Sequence, residues 1–374
     1  MIQKRNEPQD FCLIDTPPER RLSALERLTL TGGEELERAF HWIARQFTKI
    51  TESSLRGNID IPHLKSAAEF YSRWKDSPAS VFVPPPPPHA VIESAVHGLR
   101  DGEILDLSFE SAYVPQCEEF KATAEKFPEN RSVYARWWKH HAVPRATIVA
   151  VHAWSMGDQR VNSLAFVPGY FFKRGFDVVL IELPYHGRRA PTGGESGALL
   201  FPDTDPTRTN EAMGQSISDL RQLADYLRSK GRTSIGCVGV SLGAYLGALW
   251  ASLDKLEFCI SVVPFVSMAD FAWDLVRREK QTLAALSKGG ITRALLRDTF
   301  ALHSPLSHQP KLPRDRMLIL AGLADDVVPR AHTRRLWEHW GRPKMRWFRG
   351  GHAAHFKKSD AFKEIDSFLR QATR

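Results

Sequence analysis

The sequence predicts an α/β architecture, a mostly parallel central sheet flanked by helices, and three observations predict it. From residue 146 to the C-terminus, apolar strand-length runs alternate with helix-length stretches, the order that builds parallel sheets through crossover helices. A Gly-x-Ser-x-Gly pentapeptide, Gly239-Val240-Ser241-Leu242-Gly243, stands between one such run and a helical stretch of small residues. An acidic residue and then a histidine follow it, Asp325 and His352, each just after a further strand-like run.

Taken in order, residues 1–95 read as a helical N-terminal region ending in a proline-rich linker. Leu36, Phe40, Ile43, Phe47 and Ile50 recur in steps of four and three after Gly32-Gly33, which makes one apolar helix face. A second helix is predicted over residues 62–75, with Leu64, Ala67, Tyr71 and Trp74 on one face. Packing on the body of the protein is the expectation for both; capping a site, dimerising and lying on a membrane are the other uses of such faces. The five prolines at 84–88 are predicted to be extended and stiff, a linker rather than a helix.

Residues 96–374 read as one catalytic domain. Strands are predicted at 104–109, 132–139, 146–151, 177–182, just before Ser241, at 317–321 and at 345–348, with a helix over 211–230. Between the strand that ends near Pro264 and the one that starts at Met317, residues 265–311 carry Phe265, Phe271, Trp273, Leu275, Leu283, Leu286, Leu295 and Leu296. These suffice for two or three helices, whose apolar residues either line a pocket or bury the insertion on the body below.

The pentapeptide has the form of a nucleophile elbow. Its serine must sit on a sharp, strained strand-to-helix turn, and the residues two before and two after it need to lack colliding side chains. That turn lifts Oγ to where a base and a substrate carbonyl both reach it, and it aims the Leu242 N–H, at a helix N-terminus, toward a developing oxyanion. The chain order serine, acid, histidine supplies the roles: Ser241 as nucleophile, His352 as general base and then acid, and Asp325 to fix the imidazole tautomer and stabilise imidazolium. Asp326 is an alternative acid, Asp270 a weaker one, and His355 a packing or capping residue.

With these motifs the chain resembles an α/β-hydrolase from about residue 100 to its end. The resemblance implies that 104–109 and 132–139 are the first antiparallel strands of the sheet. It favours Asp325, three residues after Gly322 in a Gly-x-x-Asp-x-Val-x-Pro loop, over Asp326, and His352, which follows glycine, over His355. It also implies a helical lid at 265–311 and an oxyanion hole whose second donor is the Trp154 N–H, partner of Leu242. The loop after 146–151, His152-Ala153-Trp154-Ser155-Met156-Gly157, resembles the family's His-Gly turn with Ala153 in place of glycine. The turn survives this methyl group if φ stays negative. After the next strand, Tyr185, Arg188 and Arg189 near the rim of the site are candidate substrate-binding residues, an arginine fork being suited to carboxylate or phosphate. The wording Glu182-x-Pro184-Tyr185-x-Gly187-x-Arg189, with Gly157-Asp158 upstream, resembles a little-characterised abhydrolase subgroup suspected of lipid deacylation.

Composition narrows the partners. The chain has 51 Lys and Arg against 43 Asp and Glu, a net charge of +8, but the basic residues are spread along it rather than interleaved with aromatics in a nucleic-acid module. A solvated basic surface is the expectation, with no nucleic-acid partner and with membrane-surface contact not favoured. Four cysteines without metal-ligand spacing imply a reducing compartment and no metal site. The first residues lack a signal peptide's apolar stretch and no run is long enough to span a membrane, so a cytoplasmic protein is expected. The expected activity is cleavage of a small-molecule or lipid carboxylic ester through an acyl-enzyme, without a cofactor. The alternatives are a prolyl-peptidase-like amide hydrolase and a non-catalytic binding protein on a retired hydrolase fold. Oligomeric state, acyl length and leaving group are not readable from the sequence.

Overall fold

A computed structural model describes residues 60–192, 200–276, 280–348, 350–352 and 359–373. The apolar helix face at 36–50, Cys12 and His355 lie outside the described residues. Among the described residues, nine strands build one sheet: β1 (Ile92–Leu99), β2 (Gly102–Glu110), β3 (Ser132–His140), β4 (Ala146–Val151), β5 (Phe176–Ile181), β6 (Ile235–Val240), β7 (Cys259–Val262), β8 (Met317–Gly322) and β9 (Lys344–Phe348). Their spatial order is β1-β2-β3-β5-β4-β6-β7-β8-β9. The first three strands run antiparallel, β3 pairs antiparallel with β5, and all pairs from β5 to β9 are parallel.

Strands β4 to β8 are buried on both faces, which is why they read as continuous apolar runs, whereas β9 at the edge keeps Lys344 and Arg346 half-buried. Alternate residues serve opposite cores. Val179 and Ile181 of β5 pack with Leu220, Leu223, Leu246 and Trp250 on one side. Val178 and Leu180 pack with Phe166, Phe171, Ile365 and Phe368 on the other. Helices Pro206–Ser229 and Leu242–Leu253 thus cover one face, and Gln159–Phe166 and Ser359–Ala372 the other.

β1 begins at Ile92, inside the stretch read from sequence as linker, and nearly all of it is exposed on both faces. A strand without a buried face has no apolar alternation to reveal it. The helix Ile61–Ser72, capped by Asp60, buries Leu64, Ala67, Ala68 and Tyr71. Tyr71 donates its hydroxyl to Glu211 at 2.6 Å, and His63 Nε2 lies 3.1 Å from Asp205, so the helix is seated on the start of Pro206–Ser229. Among the described residues of 265–311 are three α-helices, Met268–Val276, Lys280–Lys288 and Arg293–Phe300. Among the described residues, no helix is long and apolar enough to cross a membrane.

Candidate active site

Every loop that carries a sequence-predicted triad residue leaves the carboxyl end of a parallel strand. β6 ends at Val240 and the chain turns at once into the helix Leu242–Leu253. Ser241 sits on that turn at φ 53° and ψ −111°, a strained conformation for a residue with a side chain. The flanking glycines are steric necessities. A Cβ at Gly239 would meet Gly243 O at 2.1 Å, and one at Gly243 would meet Val151 O at 1.9 Å. The helix N-terminus can therefore lie directly against the end of β4, where the Trp154 loop begins.

Asp325 follows β8. Its Oδ1 accepts from the Val327 and Val328 N–H groups at 3.0 and 2.8 Å, which leaves Oδ2 directed at His352. Asp326 is exposed. His352, in the loop after β9, donates Nδ1–H to Asp325 Oδ2 at 2.8 Å, since a carboxylate only accepts. Its Nε2 then accepts from Ser241 Oγ at 2.9 Å. Burial lowers the pKa of His352, but the charge and hydrogen bond of Asp325, with a further contribution from Asp326, outweigh it and raise the pKa above the ordinary histidine value. Such an arrangement can draw a proton from a serine hydroxyl and hold it on imidazole.

One residue of this neighbourhood was in view in the sequence but was given no role. His152 is fully buried between β4 and the Trp154 loop. Leu183 N–H donates to its Nε2 at 3.0 Å, so the proton is on Nδ1, which donates to Ala153 O at 2.8 Å. Ala153 O also accepts from Met156 N–H at 3.2 Å. Burial, with the nearby His186, pulls the pKa of His152 down to about 3 and keeps it neutral. Fixing the Ala153 carbonyl fixes the whole trans peptide, and so turns the Trp154 N–H away from His152. The histidine of the His-Gly-like turn was the available signal.

Of the three residues expected to bind substrate, Arg189 is buried, and Arg188 and Tyr185 make contacts within the protein. Arg189 is fully buried, pairs with Asp219 at 2.8 Å and donates to the carbonyls of Glu182 and Asn130. A guanidinium closed off from solvent, with both terminal nitrogens bonded inside the protein, has no face for a substrate. Arg188, 41% exposed, pairs with the buried Glu182 through Nε at 2.9 Å and Nη2 at 2.8 Å, and lies over the Tyr134 ring. Two buried carboxylates require these cations. Tyr185 is buried edge-on to Phe127. It lines a cavity of about 210 Å³ with Tyr113, Asn130, Arg131 and Glu211, whose lining contains none of Ser241, Leu242, Trp154, Asp325 or His352. Asp270, the weaker candidate acid, is held by three arginines rather than by His352.

Comparison with known proteins agrees with this architecture. Residues 94–273 match the family described as alpha/beta hydrolase domain containing 18, a span that includes Trp154 and Ser241 and ends before Asp325 and His352. The chain is 30% identical over 316 residues to an uncharacterised protein of Mycobacterium tuberculosis, covering 81% of this chain and 73% of that one. Among solved structures it is similar to acetyl xylan esterase 1 from a Thermoanaerobacterium species, with a TM-score of 0.56 at 16% identity over 81% of this chain and 93% of that one. An acetyl xylan esterase from a Paenibacillus species gives a TM-score of 0.56 at 16% identity, over 80% and 94% of the two chains. At such identity the likeness is one of fold.

Proposed function

We propose that this chain, which belongs to the α/β-hydrolase superfamily, cleaves a carboxylic ester through a covalent acyl-enzyme. The observation that carries the reading is the unbroken chain of hydrogen bonds from Asp325 through His352 to Ser241, on a serine strained into an elbow. In the first step His352 Nε2 takes the Ser241 proton as Oγ attacks the ester carbonyl. The tetrahedral oxyanion is received by the N–H groups of Leu242, at the helix N-terminus, and Trp154, whose peptide plane His152 holds. Imidazolium then protonates the leaving alkoxide. Water, with its proton taken by His352, attacks the acyl carbon and releases the acid.

Asp325 needs no proton of its own in this scheme; it orients the ring and compensates the imidazolium charge. We assign the helices within 265–311 to a lid over this site, and residues 96–374 to the catalytic unit. The acetyl xylan esterases share the fold, and the ester reading rests on the Ser241 geometry instead of on them.

The test is covalent. A fluorophosphonate probe attacks only an activated serine, so the intact mass of the full chain is expected to rise by one adduct, with Ser241 as the modified residue. No adduct on the folded wild type, or one that persists in Ser241→Ala, contradicts the reading.

A further inference from the structure

Asp270 stands in the first turn of the helix Met268–Val276 with its side chain 1% exposed, and positive charge surrounds it. Arg293 Nε donates to its Oδ1 at 2.7 Å and Arg297 Nε to the same oxygen at 2.9 Å, while Arg335 Nη1 donates to Oδ2. Arg293 and Arg297 are one turn apart on Arg293–Phe300. Arg335 comes from the helix Arg330–His339, which opens just after the Asp325 loop. Burial raises the carboxyl pKa of Asp270, but the bonds to the three arginines outweigh it and hold the group well below the usual carboxylate range. One carboxylate is thus bonded to three guanidinium groups; Asp274, one turn further along the same helix and 3.9 Å from His332, adds a second carboxylate, and three positive charges still outnumber two negative ones.

The excess is accessible. Each guanidinium carries five N–H donors and spends a single one on Asp270. The side chains of Arg293, Arg297 and Arg335 are 38%, 53% and 41% exposed, so the cluster around the buried carboxylate is open to solvent. Three like charges brought together from two helices repel one another, and a second anion bridging them relieves that repulsion. Planar forks suit the oxygens of a phosphate or carboxylate, and fixing them in advance reduces the entropy lost on binding. Arg188 and Arg189, by contrast, have no comparable excess, because each is matched to an internal carboxylate.

We infer that Arg293, Arg297 and Arg335, buttressed by Asp270, form a binding site for a phosphate-type oxyanion, built from none of the residues of the Asp325–His352–Ser241 chain. The group arrives either as a soluble phosphate or as the phosphate of a lipid headgroup, and the same three forks serve both.

The experiment measures the melting temperature of the full chain against inorganic phosphate, with ionic strength held constant by chloride. A saturable rise is expected. R297Q, which leaves Asp270 two partners, should weaken the phosphate response at least about tenfold, because charge-assisted hydrogen bonds are lost. R293Q reads the same site from the neighbouring turn should R297Q fold poorly. R334Q removes an equal charge from an exposed position beside Arg335 and should leave the response unchanged. Co-sedimentation with phosphatidylcholine vesicles, with and without phosphatidic acid, separates the sources. Arg297-dependent binding to the acidic vesicles alone assigns a headgroup; a response to inorganic phosphate without vesicle binding assigns a soluble ligand. Absence of both responses in the wild type, or a loss in R334Q equal to that in R297Q, overturns the inference.

Discussion

Ser241 Oγ and His352 Nε2 lie 2.9 Å apart although 111 positions separate them in the chain. The sheet makes this meeting. β6 delivers the serine on its strained turn, and the loop after β9, at the sheet's far edge, returns the histidine over it. Asp325, after the intervening β8, closes the chain at 2.8 Å. Three loops at the same end of a parallel sheet bring together groups that sequence distance would keep apart.

The raised pKa of His352 fixes the sign of the pH dependence. Imidazole must be neutral to accept the serine proton, so ester turnover is expected to rise with pH through a value above that of ordinary histidine. Asp325→Asn removes the largest opposition to burial, so the rising limb should move to lower pH while kcat falls on the order of 10⁴-fold. A pH–rate profile of both proteins checks it; an unmoved limb would mean that another group titrates.

His152→Ala should act through the Trp154 peptide. Without the Nδ1–H bond to Ala153 O, that peptide loses its fixed plane and one oxyanion donor is poorly aimed. A fully lost donor costs on the order of 10²- to 10³-fold in kcat, and a misaligned one should cost about 10- to 100-fold with KM little changed. Steady-state kinetics at matched folded fraction separates this from a loss of stability, which would lower kcat only in proportion to the unfolded protein.

Gly243→Ala places a methyl group 1.9 Å from Val151 O, a backbone atom that cannot swing away. The helix Leu242–Leu253 must retreat from β4. The expected cost is about 1–3 kcal/mol in urea unfolding, together with loss of activity, because Leu242 and Ser241 move with the helix.

The two arginines after β5 should separate by burial. Arg189→Ala strands Asp219, a fully buried carboxylate, and is expected to destabilise by about 3–5 kcal/mol. Arg188 is 41% exposed, so screening leaves Arg188→Ala a smaller effect, about 1 kcal/mol or less, even though Glu182 loses a partner. Urea melts of both variants decide it. If Arg188→Ala instead raised KM with stability intact, Arg188 would regain a place at the substrate.

The parallel half of the fold was legible because strands buried on both faces are unbroken apolar runs, and the serine turn because steric crowding leaves only glycine at 239 and 243. Asp325 over Asp326 followed from the resemblance of its loop to that of the α/β-hydrolases; in the structure the Val327 and Val328 N–H groups hold Asp325 Oδ1 and leave Oδ2 to His352. β1 was not legible, since an edge strand exposed on both faces carries no pattern. The burial of Arg189 and the pairing of Arg188 were not legible, because a loop arginine looks the same in sequence whether it faces solvent or a buried acid. Their partners, Glu182 and Asp219, become neighbours only once β5 and the helix Pro206–Ser229 are packed.

Hydrolysis of a p-nitrophenyl ester series, from acetate to long acyl chains, by the wild type and by Ser241→Ala tests the account most directly. Turnover by the wild type is predicted, with a loss on the order of 10⁴- to 10⁶-fold in the variant. Activity that survives intact in a folded Ser241→Ala protein would contradict an acyl-enzyme on Ser241.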